Sequence, residues 1–175
     1  MICKDEWDHA VDFAKSGTLF ADSVYHGEEH WRAVASQGLL LSDICNLGAA
    51  GRAAAALFGL FHDCRRQNDE YDPEHGARAA EAFIIWSSGT QLKEDFCAEL
   101  EASMVLHDKG QTTTRLIAGL GWDADRSTLG RVGMTPSLPF FSCIPELHFD
   151  SFIEAGENAT AFAPSWDNIY AKAFG

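Results

Sequence analysis

Apolar residues recur every three or four positions through most of this chain, and no stretch keeps the strict alternation of a half-buried strand. EEHWRAVASQGLLLSDICNL and AAGRAAAALFGLFHD, rich in Ala and Leu, predict two successive helices. DPEHGARAAEAFIIWSS predicts a third, with Asp72 as N-cap and Pro73 at the first helical position. LKEDFCAELEASMVLH and TTRLIAGLGWDADRSTLGRV add two more, the last with a break near Gly119 and Gly121. Past Gly133 the pattern changes: TPSLPFFSCIPELHFDSF mixes three prolines with aromatics, and FAPSWDNIYAKAFG follows. The expected fold is all-α, one domain over residues 1–175. Its helical body covers about 20–135, and an extended or short-helical tail over about 134–175 is laid across it. There is no internal repeat and no low-complexity segment.

Composition narrows the function without naming it. A formal charge of −13 over 175 residues argues against a nucleic-acid polymer as partner, because a phosphate backbone needs a basic footprint. A small phosphorylated substrate stays possible if a few cations or a metal are concentrated in one place. The five cysteines are odd in number, with no CxxC pair, which fits a reducing compartment. MICKDEWDHAVDF lacks the apolar core of a signal peptide, and no window has the apolar length of a membrane span. The expectation is a cytoplasmic protein with no membrane partner; its oligomeric state is open.

The stretch LFHDCRRQNDEYDPEHG puts a His–Asp doublet where an apolar helix ends. Helical spacing places His62 on a stripe with Phe58 and Ala55, and His75 with Ala79, Ala82 and Trp86. His107 shares a face with Met104, Leu100 and Phe96, and His30 with Val34 and Leu41. Four histidines on four helices therefore face inward. A lone inward histidine is usually a hydrogen-bonded core residue, but four need four partners unless they share one. A metal ion is the economical shared partner. Asp63 and Asp123 add carboxylates, and a set without thiolate suits Fe, Mn, Ni, Co or Zn.

The series His30, His62–Asp63, Asp123 on a helical frame resembles the HD-domain superfamily of metal-dependent phosphohydrolases. The segments HGEEHWRAV, LFGLFHDC and WDADRSTLGRVGM carry the likeness, over about residues 20–135. With His75 and His107 the order reads H…HD…H…H…D, as in two-metal members. The resemblance implies His30, His62, Asp63 and Asp123 at one ion and His75 and His107 at a second, with Asp63 bridging. A single ion with His75 and His107 contacting phosphate is the other arrangement. Asp125 competes with Asp123, and Trp122 together with the first position of the segment favours Asp123. Ser127 stands where many such segments carry Leu.

A metal so held lowers the pKa of bound water from ~16 to ~7, so no Ser or Cys nucleophile is needed. Asp63, His75 and His107 are the candidate catalytic residues. Arg65, Arg66 and Lys109 are the candidate substrate contacts, since a guanidinium can hold two phosphate oxygens. The leading expectation is hydrolysis of a nucleotide or other small phosphorylated metabolite. The alternatives are a mixed-valence di-iron oxygenase on the same ligands and a non-catalytic metal-stabilised binding module.

Overall fold

The computed structural model describes residues 2–175. Two helices, α2 (Glu28–Ile44) and α3 (Gly48–Phe61), form its central hairpin. The turn between them places Asn46 (φ 54°) and Gly48 (φ 63°) in the left-handed region. Small residues line the seam. A Cβ on Gly38 would lie 2.7 Å from the Ala55 Cβ, and one on Gly59 would lie 2.5 Å from the Ala35 backbone nitrogen. The two backbones are thus nearly in contact, and this closeness lets His30 of α2 reach His62 at the end of α3.

That seam gives a direct test. In Gly59→Ala the new methyl meets α2 backbone, which cannot step aside as a flexible side chain would. The gain in helix propensity, about 1 kcal/mol, is outweighed by overpacking. We expect a net loss of about 1–3 kcal/mol, read as a melting temperature lowered by about 3–10 °C. An unchanged melting curve would show that the seam has slack.

Around the hairpin stand α4 (His75–Ser87), α5 (Glu94–Leu106) and α6 (Leu116–Arg126). Among the described residues there is no strand, so the chain is all-α. The expected break in α6 does not occur. Its glycines serve packing instead, since a Cβ on Gly121 would lie 2.7 Å from the Phe58 ring and one on Gly119 2.9 Å from Ser142. Asp72 does not cap α4, whose N-cap is Glu74. Its carboxylate accepts instead from the Gln67 backbone N–H (2.8 Å) and from Arg78 (2.6 Å).

The regions outside the expected body are more helical than their prolines suggest. A first helix, α1 (Lys4–Ser16), buries Trp7, Ala10 and Ala14 at helical spacing. Of the two forms open to the 134–175 tail, extended or short-helical, it takes the helical one, with α7 (Phe149–Ala161) and α8 (Trp166–Phe174). Phe152 of α7 and Ile169 of α8 are buried, and the Ser165 hydroxyl caps α8 by accepting the Asn168 N–H (3.3 Å). Helix α7 packs on α2, and α8 on α3. Trp7 meets Trp166 edge to face at 5.8 Å and Phe174 at 5.5 Å, closing α1 onto α8. Gly156 lets α7 approach the backbone at buried Ser127: a Cβ on Gly156 would lie 2.3 Å from the Ser127 carbonyl oxygen. Among the described residues no helix is long and apolar enough to cross a membrane.

Candidate metal centre

Helix ends converge at one place. His62 and Asp63 follow the last turn of α3, His75 opens α4, His107 follows α5, and Asp125 lies in the last turn of α6. His30 comes from the first turn of α2. All four histidines read as inward are buried, each at most 4% exposed.

The hydrogen bonds fix the tautomers. His62 Nδ1 lies 3.2 Å from the Phe58 carbonyl and 3.1 Å from that of Gly59. His75 Nδ1 faces the Asp72 carbonyl at 2.5 Å, and His107 Nδ1 the Met104 carbonyl at 2.7 Å. A carbonyl oxygen only accepts, so each Nδ1 carries a hydrogen and each neutral ring presents a bare Nε2 lone pair. His75 Nε2 and His107 Nε2 then face one another at 3.0 Å. His62 Nε2 faces His30 Nε2 at 3.1 Å, and Arg131 Nη2 donates to that same His30 nitrogen (3.1 Å). The other His30 nitrogen, Nδ1, is buried with no partner. Two pairs of lone pairs thus oppose each other in the interior, an arrangement that a cation between them stabilises.

Asp63 lies between the pairs. Its Oδ1 is 3.3 Å from His75 Nε2 and 3.8 Å from His107 Nε2. Its Oδ2 is 3.5 Å from His30 Nε2 and 3.6 Å from His62 Nε2. One carboxylate oxygen therefore serves each pair. Asp125 Oδ1 completes the His30 side at 3.4 Å. The donor atoms form two groups that could hold metal, His30–His62–Asp125 and Asp63–His75–His107, each within 4.8 Å.

The electrostatics suit ligands. Burial pushes His62 down to about 3 and also lowers His75, so both stay neutral with a free lone pair. Burial opposes ionising Asp63, but the surrounding imidazoles outweigh it and hold the carboxyl well below the usual range. Asp125 is lowered against burial by His30, His62 and Arg131. His107 alone is raised: burial works against its charge, and the adjacent Asp63 prevails. One proton there relieves the His75–His107 opposition in the way an ion does.

Six of the residues read from sequence stand differently from one another. His30, His62, Asp63, His75 and His107 come together, but Asp123 does not join them. Its Oδ1 accepts the Ser142 N–H (2.7 Å), and its Oδ2 accepts those of Cys143 (2.7 Å) and Ile144 (3.0 Å). Two residues apart on a helix point in nearly opposite directions, so Asp125 takes the place facing the histidines. Arg65 is likewise turned away, holding the Ala14 (2.9 Å) and Phe13 (3.2 Å) carbonyls and tying α3 to α1. Lys109 is at the surface, bound to the Pro73 carbonyl and Asp108, each at 3.0 Å. Arg66 does reach the centre, with Nη1 3.4 Å from Asp63 Oδ1.

A cavity of about 500 Å³ opens beside Asp63, His75, His107 and Asp125. Arg126 and Arg131 also line it, and reasoning from sequence missed both. The segment DRSTLGRV offered a signal, since these arginines follow Asp125 by one and six positions. No protein-family model, curated protein or solved structure matches the chain.

Proposed function

We propose that the chain is an HD-type phosphohydrolase holding two divalent transition-metal ions, with a small phosphorylated metabolite as substrate. The observation that carries this reading is the pair of opposed imidazole couples, 3.0 Å and 3.1 Å apart, with one Asp63 oxygen turned to each. The donor set fits: neutral imidazoles and ionised carboxylates without thiolate suit Fe, Mn, Ni, Co or Zn. Ions bound there would lower the pKa of a coordinated water to ~7 and polarise a phosphoryl oxygen.

The chain's own residues supply the rest. The Nδ1–H bonds to Phe58, Asp72 and Met104 carbonyls lock ring orientation, so the Nε2 atoms stay aimed inward. Arg66 orients Asp63 through Oδ1 while its other nitrogens are held by the Asn68 (3.2 Å) and Glu70 (2.8 Å) carbonyls. In the reaction a water oxygen forms the new P–O bond, the ester P–O bond breaks, and the alcohol departs with a proton from that water.

The test is metal content and phosphate release on protein purified without chelator or affinity metal. About two equivalents per chain and hydrolysis of p-nitrophenyl phosphate without oxygen uptake are expected. One equivalent would make His75 and His107 substrate contacts. Oxygen uptake in place of phosphate release would overturn hydrolysis in favour of oxidation on the same ligands. No metal even after reconstitution would end the enzymatic reading.

A further inference from the structure

Resting on that reading, we infer that the substrate is a small phosphate monoester with an apolar organic part, and that Arg131 is the residue that takes its phosphoryl oxygens. Three observations lead there.

The first is charge. The chain carries a net −13, yet the cavity is lined by three guanidiniums, Arg66, Arg126 and Arg131, against three carboxylates, Asp63, Asp108 and Asp125. Any divalent ion added to this balanced set makes the cavity positive and selects an oxyanion.

The second is which arginine is available. Arg126 is committed to the Phe140 (2.5 Å) and Gln111 (2.7 Å) carbonyls, and Arg66 to Asn68, Glu70 and Asp63. Arg131 is anchored by Nε on the Tyr25 carbonyl (2.8 Å) and by Nη1 on Thr128 (2.9 Å). Its Nη2, however, donates to His30 Nε2. That lone pair is the one His30 would give to an ion. Once it is given, the Nη2–H group of a guanidinium whose side chain is only 7% exposed has Asp125 Oδ1 as its nearest anion at 4.0 Å, beyond hydrogen-bond reach, and takes another acceptor beside the centre. A phosphoryl oxygen supplies it. One such guanidinium matches one phosphate group and leaves no further uncommitted cation for a polyphosphate chain.

The third is the rest of the lining. Residues 132–141 contribute Val132, Met134, Pro136, Phe140 and Phe141, with Thr135 and Ser137 between them and no charged side chain. Met134 and Phe140 are 58% and 56% exposed, so they present apolar surface for a ligand to cover. A cavity of about 500 Å³ admits a ligand with a single ring or short alkyl body beside its head.

Titration calorimetry with the non-hydrolysable probes phenylphosphonate and methylphosphonate tests this on the metal-loaded protein, with metal counted on the same samples. Phenylphosphonate is expected to bind about tenfold more tightly or better. Phe140→Ala, an exposed substitution, reduces that preference to about twofold. Arg131→Met weakens both probes by about tenfold or more at unchanged metal content, and Arg131→Lys recovers part of the loss. Equal affinity for the two probes, or wild-type binding by metal-loaded Arg131→Met, overturns the inference and leaves the metal reading intact. Absence of metal with the phenyl preference retained does the reverse, and absence of both overturns both.

Discussion

If the proposed two-ion phosphohydrolase reading holds, Asp63→Asn protein is expected to lose both ions and about 10³-fold of phosphomonoesterase activity. The geometry sets the size of the effect. Each oxygen of this carboxylate serves a different imidazole pair, at 3.3 Å and 3.5 Å for the closer nitrogens. Removing its charge leaves His75 and His107 with no anionic partner in their group, and His30 and His62 with Asp125 alone. The several kcal/mol of transition-state stabilisation that an ion supplies corresponds to about three powers of ten in rate. Asp125→Asn should remove only the ion on the His30 side. Metal analysis of the two variants therefore counts the groups: a loss of both ions from one and of one ion from the other. If Asp63→Asn keeps a full complement, the carboxylate is not shared and the two-group arrangement is wrong. The neutral side chain is isosteric, and in the wild type Arg66 is also held by the Asn68 and Glu70 carbonyls; a melting curve on the same sample separates loss of metal from loss of fold.

The parts of this centre that were legible in the sequence are those set by local periodicity. His62 with Phe58, and His107 with Met104 and Leu100, fall on one helical face by spacing alone, and these residues are buried. The same spacing is present in two segments outside the five helices expected from sequence. Trp7, Ala10 and Ala14 mark α1, and Trp166, Ile169 and Ala173 mark α8. The prolines of the tail leave extended and short-helical chain equally open from sequence. Pro145 and Pro164 in fact stand just before helical segments, where a fixed φ and a missing N–H do no harm. What periodicity could not give is contact across distance. Arg131 belongs to the centre because a short 3₁₀ turn, Leu129–Val132, swings it back to His30, about a hundred residues earlier in sequence. Arg65 and Arg66 are neighbours, yet one ties down α1 and the other orients Asp63, a division that only the packing of α1 decides.

The choice between Asp123 and Asp125 has the same origin, and it leads to the second large effect. Asp123 is fully buried, and its carboxylate gathers three consecutive backbone N–H groups from Ser142, Cys143 and Ile144. Burial raises this carboxyl above its ordinary pKa, with the three donors opposing the rise only in part. The contribution to stability lies in the donors. Residues 142–144 belong to no helix, so in Asp123→Ala these N–H groups, that of Ile144 buried, lose their acceptor together. Hydrogen bonds to a charged group contribute about 1.5–3 kcal/mol each, and a stranded buried set is less than additive. A loss of about 3–5 kcal/mol is expected, which for a chain of this size lowers the melting temperature by about 10 °C. Asn is no remedy, because its amide nitrogen would face a backbone donor. If the proposed centre holds metal, Asp123→Ala below its transition should retain it, whereas Asp125→Ala should keep its melting temperature more nearly and lose an ion. The opposite pattern, with Asp123→Ala stable but depleted of metal, would restore Asp123 as the ligand. It would also mean that α6 turns by half a revolution when metal binds, releasing the 142–144 backbone from its anchor.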